Sequence, residues 1–242
     1  MRIAMLPGDG IGPEILAAAD ELLRVLAPEA ELAYGAVGLG AWSETGSSLP
    51  AETLELVSSA DATLLGAVTT PPGVPGYRSP VLELRQGLEL YANLRPARSI
   101  PHPASRPGID LLLVRENTEG LYAGRESRSA DGGTAVTERV ITRRGSERVL
   151  RLAFERARTM GRSKVTVVHK ANVLRETCGL FLEVAREVAG DYPDLEVEDV
   201  LVDTCVMRLI RAPESFERQS FGPIRIAKHY IASRLERMSS YI

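Results

Sequence analysis

The chain opens with a short apolar run from Arg2 to Leu6, broken by Pro7-Gly8-Asp9-Gly10-Ile11-Gly12. Proline and glycine at that density are turn chemistry. Pro13 suits the first position of a helix, and Ile15, Leu16, Ala19, Leu22, Leu23 and Leu26 then recur at helical spacing. A strand is predicted near 31–37, a helix over 51–59 behind Pro50, and a buried strand over 62–67 (ATLLGA) that runs into a Pro/Gly-rich loop, 69–77. A helix is predicted over 82–88 and a buried strand over 110–114 (DLLLV). Strand-like alternation covers 135–142, and Ser146 reads as the cap of a helix that Gly161 stops. Beyond it come a strand at 164–168, a helix through Leu180, Phe181, Val184 and Val188 ending at Gly190, and a strand from Val197 to Val202 closed by Asp203. Strands alternating with helices predict an α/β fold with a largely parallel sheet. The strand-rich middle, 98–145, suits either a second domain or an extension of the same sheet.

Composition narrows the class. With 242 residues there is room for one large domain or two small ones, and enough chain to bury a core without staples. Hydrophobic residues at 44% and charged residues at 25% are ordinary globular values, which excludes a disordered tail, a fibre and a disulfide scaffold. No apolar run approaches the ~20 residues that cross a bilayer, and the first residues lack a signal or transit pattern. A net charge of −3 argues against nucleic acid as partner. Cys178 and Cys205 stand far apart without ligand spacing and read as free thiols of a reducing cytoplasm. Twenty-six arginines against three lysines (Lys164, Lys170, Lys228) suggest GC-rich codon usage, and make a surviving lysine a candidate for chemistry that arginine cannot perform.

Five groupings could carry chemistry. Gly8-Asp9-Gly10-Ile11-Gly12 could cradle a phosphate at a helix start, or simply form a tight turn; its spacing is not the dinucleotide fingerprint. Arg85, Arg95 and Arg115 offer guanidinium forks suited to carboxylates, and Arg115 directly follows a buried strand, where open α/β sheets bind ligands. Tyr122, in RENTEGLY, could donate a phenolic proton or line a sheet rim. Lys170, in HKAN, could act as a general base with Asn172 holding a ligand, or be a loop lysine. Asp203 is a ready Mg²⁺ ligand or a helix cap, and one carboxylate alone does not make a site.

Taken in order, LPGDGIGPE, LLGAVTTP, LYANLRPARS, VRENTEGLY, HKANVL and VDTCVMRLI closely resemble the β-decarboxylating dehydrogenases, the isocitrate, isopropylmalate, homoisocitrate and tartrate enzymes, from residue 1 to about 216. GAVTTPPGVPGY and SRPGIDLLLVRENTEGLY look most like the homoisocitrate branch of lysine biosynthesis, with the isocitrate and then the isopropylmalate branches behind it. The resemblance implies a doubly wound α/β sheet of the family's own kind. It divides the chain into a cofactor-side domain over 1–97 and a substrate- and dimer-side domain over 98–216. It implies that Arg85, Arg95 and Arg115 grip the carboxylates of a 2-hydroxy di- or tricarboxylic acid and that Thr70 touches its variable group. It also implies that Lys170 is the general base, Tyr122 the proton donor, Asn172 a cofactor neighbour and Asp203 a metal ligand. NAD, Mg²⁺ (or Mn²⁺), a homodimer and a cytoplasmic enzyme complete the expectation, with neither nucleic acid nor membrane as partner.

Two departures qualify it. Leu82 cannot pair the third carboxylate that homoisocitrate carries, so Arg78 is the candidate donor. From 217 onward the family pattern stops. The segment contains no Asp, its only carboxylates are Glu217 and Glu236, and Ile224, Ala227, Ile231, Leu235 and Met238 trace a basic amphipathic helix. The expectation is an incomplete sheet that lacks the family's carboxy-terminal third, two of three metal carboxylates and the adenosine pocket, in a chain with little or no activity. The other reading is a non-catalytic remnant or regulatory-type subunit that still binds the acid.

Overall fold

The computed structural model describes residues 1–216 and 219–221. Two compact units divide after Leu90. The expected boundary at 97 falls instead inside the strand Ala92–Arg98, which pairs along its whole length with Asp110–Glu116. The amphipathic tail expected over 217–242 lies outside the described residues, except for 219–221.

In the first unit, Arg2–Gly8 (β1) is flanked in parallel by Glu31–Tyr34 (β2) and Ala62–Ala67 (β3). Side chains of a strand alternate between faces. Ile3 and Met5 accordingly pack on Leu16 of Gly12–Leu26 (α1). Ala4 and Leu6 face the other way, onto Val57 of Ala51–Ser59 (α3) and Leu84 of Pro80–Gly87 (α4). Between β2 and α3 a short helix, Leu39–Thr45 (α2), was not legible in the sequence, because Gly38 and Gly40 bracket its start and it runs for only two turns.

In the second unit, Ala92–Arg98 (β4) runs antiparallel to Asp110–Glu116 (β5). The sheet order is β4, β5, Gln219–Phe221 (β10), Lys164–His169 (β8) and Glu196–Leu201 (β9), parallel from β5 onward. The sequence reading assigns no element to 91–98, and Pro96 stands inside the strand because an edge strand tolerates a residue without an N–H. Leu112, Val114, Val165 and Val167 face Arg143–Thr159 (α5) and Arg175–Ala189 (α6), whose Phe154 and Phe181 are fully buried. Leu111, Val168, Val200 and Phe216 form the opposite layer with Val202 and Cys205 of Val202–Arg211 (α7). The expected strand over 135–142 is shorter. Only Ala135–Thr137 (β7) pairs, with Glu126–Arg128 (β6), and Val140 bridges Gly120.

Two local expectations change. Thr142, not Ser146, caps α5: its hydroxyl accepts from the Gly145 N–H at 3.0 Å, and Ser146 sits inside the helix donating to the Thr142 carbonyl at 2.8 Å. Asp203 does not close a strand. β9 passes straight into α7, and the β-branched run VLVDTCV concealed the switch from strand to helix, leaving Asp203 in the first helical turn.

Candidate active site

The glycine turn after β1 is a structural bracket. Gly8 has φ +76°, and a Cβ there would lie 2.0 Å from the Ala67 carbonyl oxygen; at Gly12 it would meet the Pro7 carbonyl oxygen at 2.1 Å. The Asp9 carboxylate accepts from the N–H groups of Leu39 (3.0 Å), Gly40 (3.1 Å) and Thr69 (2.8 Å). Burial pushes its acidity toward the neutral form, and those three N–H donors outweigh it, holding Asp9 below the usual carboxylate range. A carboxylate thus occupies the donors that would otherwise suit a phosphate, and Glu14 adds a second acid in the first turn of α1. The turn does not fit a dinucleotide pyrophosphate. It instead fixes the loop carrying Thr70, which is exposed, while the Tyr77 hydroxyl donates to the Thr69 carbonyl at 2.8 Å. Arg85 lies half-buried on α4 of the same unit.

The second unit gathers the other candidates at the carboxyl edge of its sheet. Register pairs Asn93 with Arg115 and Arg95 with Leu113, so these four side chains share one face, the face that α7 covers below Leu111 and Leu113. The Arg95 Nε donates to the Asn93 side-chain Oδ1 at 3.1 Å, and Arg115 donates to the Tyr122 hydroxyl at 2.9 Å with its guanidinium 5.6 Å from the ring centre. Tyr122 sits on a 3₁₀ turn, Leu121–Ala123, that begins after Gly120 at φ +76°. Glu116 steers the chain there. Its carboxylate, 1% exposed, accepts from the Thr118 N–H (3.0 Å), the Thr118 hydroxyl (2.6 Å) and the Glu119 N–H (2.8 Å), with Arg148 at 3.5 Å.

Two strands away along the same edge, about 10 Å at ordinary strand spacing, Lys170 follows β8 and its ammonium pairs directly with Asp203. The Lys170 carbonyl accepts from Val173 and Leu174, forming the turn on which Asn172 stands exposed. Behind it, buried His169 accepts at Nδ1 from the Ala171 N–H (3.1 Å), which assigns the Nε2 proton to the contact with Asp199 at 3.1 Å.

The structure therefore brings together Arg95, Arg115 and Tyr122, and separately Lys170 and Asp203. Thr70 and Arg85 stand in the first unit. Among the described residues no three acidic, histidine or cysteine side chains gather. Asp203 is an exposed carboxylate paired with Lys170, and the described residues do not fit a whole divalent-cation site.

The sequence profile of the isocitrate/isopropylmalate dehydrogenase family matches residues 2–219. The chain belongs to this family. Among curated relatives it is 45% identical to the isocitrate/homoisocitrate dehydrogenase of Thermus thermophilus, across 89% of this chain and 64% of that protein. It is 43% identical to the 3-isopropylmalate dehydrogenase of Methanothermobacter thermautotrophicus, across 90% and 64%. The crystal structure of isocitrate dehydrogenase from Methylococcus capsulatus superposes with a TM-score of 0.85 at 42% identity, covering 93% of this chain and 67% of that one. The chain thus spans about two thirds of its relatives' length. Family members are NAD(P)-dependent dehydrogenases needing a divalent metal, and near-equal identities to three substrate types leave the acid unassigned.

Three residues that shape the site carry no role of their own in the sequence reading. Asn93 lies in a segment to which the sequence reading assigns no element, although it stands two positions before Arg95 within LYANLRPARS. Glu116 is a carboxylate next to a ligand-type arginine at a strand end, a signal that was available. Asp9 could have been found by asking what else satisfies the N–H groups around a glycine turn.

Proposed function

We infer that this chain carries the acid-binding and proton-transfer residues of an enzyme that oxidises a 2-hydroxy-3-carboxy acid and decarboxylates it, with NAD⁺ and Mg²⁺ or Mn²⁺. Homoisocitrate is the first candidate, isocitrate and 3-isopropylmalate the alternatives. The Arg115–Tyr122 pair, on the sheet face that Arg95 shares, is the observation that carries the reading.

Arg95 and Arg115 hold the carboxylates, with Arg85 as the third fork and Thr70 beside the variable group. Lys170 takes the proton of the C2 hydroxyl. NAD⁺, when bound, would supply the acceptor for the C2 hydride. CO₂ then leaves, and Tyr122 returns a proton to carbon, with the Arg115 guanidinium beside the oxygen where negative charge develops. Asn172 would be among the residues that hold the cofactor. Lys170 and Asp203 serve the partner's site in a homodimer, in a reducing cytoplasm that suits the two buried free cysteines. Burial pushes the Cys205 thiol up to about 12, which keeps it unreactive.

Homoisocitrate needs a donor for its distal carboxylate. Leu82 is half-buried, and the Arg78 Nε lies 3.5 Å from Glu83, so Arg78 can turn to the acid only by leaving that exposed pair. Among the described residues no three acidic, histidine or cysteine side chains gather, which favours a second reading: the 242-residue chain by itself binds its acid without turning it over. Thermal shift with each of the three acids, followed by NAD⁺ reduction, tests both. An acid at 100 times its Kd stabilises by about 2.7 kcal/mol. Homoisocitrate is expected to shift the melt most, R115A to abolish the shift, and Y122F to keep it. Preference for 3-isopropylmalate overturns the ranking, and turnover at an ordinary enzymatic rate overturns the second reading.

A further inference from the structure

Lys170 is the first residue beyond β8, and its backbone leaves the sheet there. The register with β9 ends at His169 opposite Leu201, because β9 passes into α7 at Val202. Lys170 is half-buried, and a backbone N–H in that position needs an acceptor. The acceptor is the Cys178 sulfur in the first turn of α6, at 3.4 Å. The Lys170 carbonyl is tied to the same place. It accepts from the N–H groups of Val173 (3.1 Å) and Leu174 (2.8 Å), and the Leu174 carbonyl accepts from the Cys178 N–H (3.0 Å). Both backbone polar groups of Lys170 thus run to the start of one helix, in a closed circuit of Lys170, Leu174 and Cys178.

A thiol sulfur is a weak acceptor, and this one does not act alone. One guanidinium nitrogen of Arg139, in the segment after β7, donates to the same sulfur at 3.4 Å and to the Thr177 hydroxyl at 2.6 Å. Gripping two neighbouring residues of α6 fixes the guanidinium, and the guanidinium fixes the sulfur. Cys178 is 2% exposed, so water cannot take the place of the sulfur. At its other end Lys170 pairs with Asp203 on α7. The side chain therefore spans from a backbone pinned to α6 to a carboxylate on α7, and any slip of the turn moves the amine.

We propose, on the reading of Lys170 as the general base, that Cys178 is a positioning residue for it: the bond its sulfur accepts, with Arg139 holding that sulfur, sets where the amine stands. The role needs a buried acceptor and makes no use of thiol reactivity.

The chain's three lysines, Lys164, Lys170 and Lys228, make the test direct. Lysine labelled with ¹⁵N at the amide and ¹³C at Cε gives one amide and one side-chain NMR signal per lysine, and K170R removes the two that belong to Lys170. C178V keeps a buried apolar side chain without an acceptor. In it the Lys170 amide is expected to exchange roughly tenfold faster, the loss of one hydrogen bond, and the Lys170 Cε signal to move toward that of free lysine. C178S keeps an acceptor and is expected to hold both signals near their original values. R139A, altered outside the helix, is expected to move them in the same direction by less, and it carries the test if C178V does not fold. Lys164, at the opposite end of β8, is the internal reference. Unmoved Lys170 signals in C178V or, where that variant does not fold, in R139A overturn the proposal. So does equal movement of Lys164, which means general loosening, or equal movement in C178S, which means that the acceptor is irrelevant. The reading of Lys170 as base is checked separately: homoisocitrate, isocitrate or 3-isopropylmalate added to the unaltered chain is expected to move its Cε signal. No response to any of the three overturns that reading and leaves the hold of Cys178 on the Lys170 backbone in place.

Discussion

The two sheets treat their surfaces differently. In the second unit α5 and α6 cover one face and α7 the other, and the carboxyl edge holds charged side chains that are tied to one another: Arg115 to Tyr122, Lys170 to Asp203, Glu116 to the loop it turns. Among the described residues the first unit's sheet is three strands wide, and α1 buries one apolar stripe while presenting another to solvent. The tied polar edge suits a small anion, and the exposed apolar stripe does not.

The largest test of this contrast is in the cores. Phe154→Ala removes a fully buried ring that packs on Tyr192 at 5.1 Å, and is expected to cost about 3–5 kcal/mol in urea unfolding. Leu22→Ala on the exposed stripe is expected to stay within about 0.5 kcal/mol in the isolated chain. If Leu22→Ala costs as much as a core deletion, the stripe is covered within the chain and the contrast fails.

Next come the glycines of the first unit. Gly8→Ala combines positive φ with a carbonyl 2.0 Å from the new Cβ, and is expected to cost more than the ~1–2 kcal/mol of left-handed strain alone. Gly46→Ala, with φ +74° and open space around it, isolates that strain term. Equal costs from the same unfolding assay would mean that the close approach of β1 to Ala67 is not rigid.

Smaller again is the cap of α5. Thr142→Ala is expected to cost about 1 kcal/mol in urea unfolding. Thr142→Ser, which keeps the acceptor for Gly145 and the contacts with Glu119, should recover most of it.

The smallest effect is acid sensitivity. Asp9 has its folded acidity held below the unfolded value near 3.8, so its contribution is fully present above that pH and is lost as pH falls through the lower folded value. Between pH 5 and pH 3, Asp9→Asn should flatten the decline in stability slightly, as followed by thermal melts. An unchanged slope would mean that the three N–H donors do not favour the charged form.

Much of this was legible in advance. The apolar strands 62–67 and 110–114, the helix stripes of α1 and α6 and the six ordered motifs pointed to an α/β dehydrogenase, because period and punctuation are local properties. Short or mixed-signal elements were not legible. β4 hid behind Pro96, which only its edge position makes tolerable. α2 hid between glycines, and α7 hid in a β-branched run that the adjoining sheet layer nevertheless holds as helix. Asp203 moved from strand end to helix start for that reason, and its contact with Lys170 depends on it.

What the residues alone determined is the repertoire: forks for carboxylates, one phenol, one scarce amine and the order in which the chain spends them. What only the tertiary structure decided is adjacency. Arg95 meets the face of Arg115 because antiparallel register places Asn93 opposite it, and Asp9 consumes the donors of its own turn because Leu39, Gly40 and Thr69 fold back onto it. Register and loop closure join positions tens of residues apart, and no local pattern encodes which partner will lie across the sheet.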